Sequence, residues 1–186
     1  MFNPILGILA SSGAVAGGSF ESIATAYGTG SSNTLEFTSI PSTYKHLQIR
    51  FAGAQSGSGE TDSYIRFNSD TGGNYVYYHQ LYAYNTSVYS SADTSTTDKA
   101  VGFYTTGTND SSVHGVGVCD ILDYTSTSKN KTIRTLSGMN GTNGFIGLRS
   151  ALWKPSTPVA ITNIKIICGS NNWSSSTIAA LYGIKD

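Results

Sequence analysis

The sequence contains little charge. Only 12% of its 186 residues are Asp, Glu, Lys or Arg, and the formal net charge is zero, whereas roughly 25% of the residues in an average globular protein are charged. Because there is no basic excess to hold a phosphate backbone, we predict that nucleic acid is not a partner. The 12 tyrosines argue against a disordered chain, since disordered segments contain few aromatic residues. We therefore expect a folded domain whose surface is made mainly of Ser, Thr, Asn, Gly and Tyr.

Cysteine is also scarce, with only Cys119 and Cys168 in the chain. Two cysteines do not make the disulfide framework of a small secreted domain. Both lie in apolar runs, VGVCDI and KIICGS, which favours buried free thiols. A single disulfide between them is the alternative, so the cysteines do not assign a redox compartment.

The sequence lacks the motifs that identify common enzyme classes. It contains no HExxH zinc motif, no GxSxG nucleophile elbow and no phosphate-binding loop, and its three histidines do not have metal-ligand spacing. Asp120 and Asp123 could hold a calcium ion, but two residues three apart on a strand point to opposite faces, which favours strand-end roles. We predict that the protein is not an enzyme, and that it binds no cofactor and no metal.

The first ten residues, MFNPILGILA, are apolar and are followed by a stretch of small residues. A secretory signal needs a basic n-region, yet the first basic residue is Lys45, and Pro4 and Gly7 interrupt the apolar run. The run is also far shorter than the roughly 20 residues that span a bilayer. We therefore predict no membrane binding and expect residues 1–18 to be an N-terminal arm, with these partner-docking residues: Phe2, Ile5, Leu6, Ile8 and Leu9.

From residue 19 onward, apolar residues recur with the period of two that is typical of strands. HLQIRFAG places Leu47, Ile49 and Phe51 on one face, whereas VHGVGVCDILDY is apolar on both faces and is predicted to be a central strand covered on both sides. Two further segments have one apolar face each: FIGLRSALW, with Ile146, Leu148 and Leu152, and STIAALYGI, with Ile178, Ala180, Tyr182 and Ile184.

Turn clusters rich in Gly, Asn, Asp and Ser separate these runs, and no helical stripe is present. Roughly nine or ten short strands at this spacing predict an all-β fold. We expect a single antiparallel β-sandwich, jelly-roll-like, over residues 19–186, preceded by the extended arm of residues 1–18.

The segment NYVYYHQLYAYNTSVY is the densest aromatic feature of the chain. Alternation places Tyr78, Tyr82 and Tyr84 on one face, and Trp173 lies in the polar loop GSNNWSSS. Three roles are open for these side chains: cross-strand packing, a subunit interface, or a platform for a glycan, because a tyrosine offers an apolar body with a polar tip.

Several segments resemble a family of bacteriophage virion proteins, small jelly-roll capsid decoration or tail-fibre-like proteins of phages that infect cyanobacteria and other aquatic bacteria. The most specific are IPSTYKHLQIR, RFNSDTGGNY, DILDYTSTSKNKTIRTL and the terminal LYGIK, and the resemblance covers residues 19–185. It implies a virion location, a β-sandwich and a symmetric oligomer, often a trimer, and it implies no catalytic residue. The chain departs from the family in a more Tyr-rich aromatic stretch and in prolines near Trp153.

Three functions follow as hypotheses. The first is a capsid decoration or cement protein, a homotrimer on the virion surface that attaches to the major capsid protein through residues 1–18. The second is a tail fibre or receptor-binding module that recognises a host glycan through the tyrosines and Trp173. The third, a hydrolase of host polysaccharide, has no motif in its favour.

Overall fold

The computed structural model describes residues 19–92, 96–97, 100–107, 114–141 and 144–185, and all of the regular secondary structure in these residues is β. The thirteen described strands are β1 (Phe20–Tyr27), β2 (Thr34–Phe37), β3 (His46–Gln55), β4 (Glu60–Phe67), β5 (Tyr75–Tyr84), β6 (Ser87–Ser91), β7 (Thr96–Thr97), β8 (Ala100–Gly107), β9 (Gly115–Ile121), β10 (Lys131–Met139), β11 (Phe145–Trp153), β12 (Ile164–Cys168) and β13 (Ile178–Ile184). Within the described ranges there is no helix with the length and apolar character needed to cross a bilayer.

The strands form two layers. The larger layer has the antiparallel order β1-β13-β3-β9-β10-β11-β5-β6, with the short β7 also beside β5. The smaller layer has the antiparallel order β2-β12-β4-β8. A short parallel pairing of β3 with β8 joins them into one continuous sheet, and β8 packs across β10 and β11. This arrangement confirms the predicted all-β, mostly antiparallel sandwich.

The core lies between the two layers and follows the period of two. Leu47, Ile49 and Phe51 of β3 point into it from the larger layer, and Ile65 and Phe67 of β4 point into it from the smaller layer. All five side chains are buried. The alternation in HLQIRFAG predicts this for β3, and β4 follows the same period of two.

A carboxylate at one edge of the core anchors a buried tryptophan. The indole N–H of Trp153 donates to Asp70 Oδ2 at 2.7 Å, and the same carboxylate accepts from the backbone N–H of Gly72 and the side chain of Asn74. Burial raises the pKa of Asp70, but these three hydrogen bonds outweigh it and hold the pKa below its ordinary value.

Both cysteines are buried free thiols. Burial raises the pKa of the Cys119 thiol to about 12, because the charged thiolate is poorly solvated in the core.

Candidate docking face

The larger layer turns one face toward the smaller layer and the other face, which we call the outer face, away from it. Two neighbouring cross-strand rows of the outer face consist of apolar residues. The strand registers define the first apolar row as Val88, Ala83, Ile146, Gly138, Val116, Ala52 and Ile178. They define the second apolar row as Leu81, Leu148, Leu136 and Val118.

The apolar rows are exposed in the single chain. Six of their residues have exposed fractions of about one half or more: Leu148 47%, Leu81 52%, Val116 52%, Leu136 53%, Ile146 61% and Val88 74%. At ordinary side-chain areas, these six residues present roughly 600 Å² of surface, which matches the largest apolar patch of a typical monomer. The largest apolar patch of a monomer is often functional, so this patch is a candidate interaction site.

The inner face behind the apolar rows is more polar than the outer face. Thr135 and Ser137 of β10 and Arg149 of β11 point inward and are buried, whereas Leu136 and Leu148 point outward. A sheet that has one face in water normally buries its apolar side chains and exposes its polar ones. The exposed leucines and isoleucine in front of these polar residues make the outer face a candidate interface.

Strand β9 also exposes an apolar side chain on the outer face, although the sequence predicts that both of its faces are covered. The sequence predicts that VHGVGVCDILDY is covered on both sides, and on the inner side Cys119 and Ile121 are buried as expected. On the outer side, Val116 is about half exposed. The single chain therefore covers one face of β9 and leaves the other face open.

The first apolar row has ridges and grooves. A groove of about 310 Å³ lies over Ala83, between Val88 and Ile146. A second groove of about 410 Å³ lies over Gly138, between Ile146 and Val116. The grooves lie where a small residue follows a large one across the sheet.

A polar row borders the second apolar row. It consists of His79, Ser150, Arg134, Asp120 and Gln48. Arg134 Nη2 donates to Asp120 Oδ2 at 3.2 Å, and Gln48 Nε2 donates to Asp120 Oδ1 at 2.9 Å. An apolar centre bordered by polar groups of both charge signs is the usual anatomy of a protein–protein interface.

Two of the tyrosines that the sequence singles out, Tyr82 and Tyr84, lie away from the outer face. Tyr82 and Tyr84 pair with Gly147 and Phe145, which point inward. Tyr82 stacks on Tyr89 at 5.0 Å and on Phe145 at 5.7 Å, and it is half-buried. These contacts are cross-strand aromatic packing, one of the three roles open at the sequence level, at an edge where Tyr89 stays partly exposed.

The structure corrects the expectation that Trp173 is a surface contact. Its side chain is fully buried, its indole N–H donates to the carbonyl of Ile166 at 3.1 Å, and its ring packs edge-on against Phe51 at 5.2 Å. The loop GSNNWSSS reads as exposed, but backbone hydrogen bonds to Ser32 and Ala54 fold it over the core. A sugar cannot reach this ring.

The other predicted contact residues are not described at the level of side chains. For Tyr78 the structure gives its place in β5, next to the register shift opposite Ser150 and Ala151. Residues 1–18, with the predicted anchors Phe2, Ile5, Leu6, Ile8 and Leu9, lie outside the described residues.

An ion pair between the layers was not foreseen from the sequence. Arg149 Nη1 of β11 donates to Asp62 Oδ1 of β4 at 2.7 Å, and the guanidinium lies 5.2 Å from the centre of the Phe145 ring. Beside it, Tyr104 donates to Glu60, and burial and then the charge of Glu60 raise the pKa of Tyr104 above its ordinary value. The Arg149–Asp62 pair connects the two layers, whereas Tyr104 and Glu60 both belong to the smaller layer.

The described residues contain no group of three or more His, Cys, Asp or Glu side chains that could hold a metal ion. Asp120 pairs with Arg134, while Asp123 pairs with Lys129 at 3.4 Å and its backbone N–H donates to His46 Nδ1 at 3.0 Å. The two aspartates therefore have separate partners in the structure.

Comparison with known proteins gives little. No protein-family model and no curated protein matches the chain. Among solved structures, the tripod (BppUct-A-L) from the baseplate of bacteriophage Tuc2009 is similar at 9% identity and a TM-score of 0.28, over 89% of this chain. The chain spans 64% of the length of that tripod chain, and a likeness of this degree carries no conclusion about function.

Proposed function

We propose that this chain is a structural protein of a bacteriophage virion surface, and that it acts by binding other virion proteins rather than by catalysis. The observation that carries this proposal is the outer face, where leucines and isoleucines are exposed while threonine, serine and arginine are buried behind them. The resemblance of IPSTYKHLQIR and DILDYTSTSKNKTIRTL to phage virion proteins supports the same role.

The more specific role that we propose is capsid decoration, with attachment to the major capsid protein through residues 1–18. The support lies in the sequence of this arm, which offers five apolar anchors followed by a tether of Ser, Gly, Ala and Val. Eight extended residues, 11–18, reach at most about 27 Å. The described chain starts beside β1, at the edge of the larger layer, so the arm can reach a neighbouring protein.

Attachment to particles lacking this chain tests the proposal. We expect the full chain to co-sediment with such particles and the chain without residues 1–18 to stay in the supernatant, with the same thermal unfolding midpoint for both. Val159→Ser, at an exposed loop position, serves as the control and should bind like the full chain. No binding by the full chain would refute the structural role, and equal binding by the shortened chain would refute attachment through the arm.

A second candidate function is a receptor-binding module of the tail. The observation in its favour is the stack of Tyr82 on the partly exposed Tyr89, since a stacked tyrosine pair can hold the apolar face of a sugar. Specific binding on a glycan array that Tyr89→Ala abolishes would favour this function, and an array with no such signal would remove it.

A further inference from the structure

We propose that the outer face binds the outer face of a second copy of this chain, about a two-fold axis that runs parallel to the strands midway between β10 and β11. This inference rests on the proposed function only in treating the outer face as an interface between proteins. The order of residue sizes, the charges and the area of the face support this pairing.

Residue size alternates along the first apolar row. Large residues stand on β6, β11, β9 and β13, and small residues stand on β5, β10 and β3 between them: Val88, Ala83, Ile146, Gly138, Val116, Ala52 and Ile178. Because strands lie about 4.8 Å apart, the ridges repeat every 9 to 10 Å or so. A sheet with the same spacing, displaced by one strand, would interdigitate with this row.

The two-fold axis produces that displacement. Rotation about it exchanges β11 with β10, β5 with β9 and β6 with β3, as the strand order requires. Within the first apolar row it places three large residues over small ones: Ile146 over the partner's Gly138, Val116 over the partner's Ala83 and Val88 over the partner's Ala52. In the second apolar row it places Leu148 against the partner's Leu136. The grooves over Ala83 and Gly138 thereby receive side chains of matching size.

The polar row is compatible with the same axis. The rotation places His79 opposite the partner's Asp120 and Ser150 opposite the partner's Arg134, so that no like charges lie directly opposite each other. The two Arg134 side chains lie on either side of the axis, and each pairs with Asp120 of its own chain. The formal net charge of zero adds no repulsion between copies. The charges on the outer face therefore do not repel a second copy placed in this orientation.

The area of the outer face suits a pair. The six most exposed residues of the apolar rows present roughly 600 Å², and the polar row brings the face near the 800 Å² or so per partner of a standard interface. A face that is complementary to itself closes on two copies. The geometry thus points to a dimer contact in place of the trimer that the resemblance implies.

Sedimentation velocity and equilibrium of the full chain test the pairing. We expect the mass of a dimer, and we expect Ile146→Ala to raise the dimer dissociation constant about 100-fold, because the ridge is lost twice in each dimer. Val159→Ala is a control at an exposed valine in the loop between β11 and β12, outside the outer face, and should change the constant by less than about 3-fold.

Ala83→Leu distinguishes a contact that depends on interdigitating side chains from one that depends only on apolar area. The change adds apolar surface, so it would tighten a contact that depended on apolar area alone. If the partner's Val116 fills the groove over Ala83, the added side chain blocks it, and we expect dimerisation at least about 10-fold weaker. Circular dichroism and thermal unfolding must show that each variant keeps the fold.

Four results would each overturn the inference. The full chain could be a monomer at about 100 µM or a trimer. The pair could be lost when residues 1–18 are removed, or Ala83→Leu could pair more tightly than the parent chain. The particle assay fails independently of this one. A dimer that does not attach to particles would refute the proposed function but leave the dimer proposal intact. A monomer that attaches to particles would refute the dimer proposal but leave the proposed function intact.

Discussion

Replacing Asp62 by alanine should lower the free energy of unfolding by about 3 kcal/mol, because it leaves a buried arginine without its counter-ion. The Arg149 side chain is 7% exposed, and its one ionic partner among the described residues is Asp62, at 2.7 Å. Arg149 Nε has no hydrogen-bond partner in the described part of the chain. The charge therefore depends on this carboxylate.

The magnitude follows from the burial of the two partners. Breaking a buried pair by removing one charge costs about 3 to 5 kcal/mol, and we expect the low end because the Asp62 side chain is 32% exposed, so water can approach. The Phe145 ring compensates little, since a cation–π contact contributes about 1 kcal/mol. Arg149→Met should cost about 1 kcal/mol, because a similar volume fills the site with no charge to solvate.

Urea unfolding followed by tryptophan fluorescence measures these differences for Asp62→Ala, Arg149→Met and the double variant. The double variant should be about as stable as Arg149→Met alone, which gives a coupling near 3 kcal/mol. Asp120→Ala is the matched control, because its partner Arg134 is 65% exposed and a surface pair contributes less than about 1 kcal/mol. An Asp62→Ala cost no larger than that of the control would refute the reasoning.

Two further predictions concern titratable groups. The pKa of Asp70 is lowered in the folded chain, so its contribution to stability is present above about pH 4 and is lost as the pH falls through the folded pKa. We expect Asp70→Asn to be less stable than the parent chain by about 2 kcal/mol at pH 7. This difference in the free energy of unfolding should shrink as the pH is lowered, and a difference that does not change with pH would contradict the prediction. Cys119 and Cys168 are both buried, so a thiol reagent at pH 8 should label neither in the folded chain and both in urea; labelling of Cys119 in the folded chain would contradict its pKa of about 12.

Periodicity predicts which side chains share a face, but it does not say where that face points. Ile146 and Leu148 share a face, as FIGLRSALW predicts, yet that face points outward, because β11 turns Trp153 and Arg149 inward. The same holds for Ile178 in β13, whose inward neighbours include Leu181. A count of apolar residues cannot distinguish a core face from a docking face, since both exclude water.

The burial of Trp173 and the pairing of Arg149 with Asp62 could not be predicted for a different reason. Both depend on contacts between residues far apart in the chain: Trp173 bridges to Gln55, and Arg149 lies 87 residues from Asp62. The local signals, a polar loop and a charged strand position, point to the surface. Tertiary packing overrides them, and nothing within a short window of sequence carries that information.

The two exterior faces of the sandwich meet the same solvent but differ in composition. The outward side of the smaller layer carries Glu36, Lys165 and Arg66 in one cross-strand row, with Lys165 at 3.7 Å from Glu36. The corresponding side of the larger layer carries rows centred on Ile146 and Leu136. The smaller layer thus carries a charged row on its outward side, whereas the larger layer carries two aliphatic rows beside its polar row, a difference that the scarcity of charge in the whole sequence does not explain. A third layer over the outer face does explain it, because water is then excluded from that side alone.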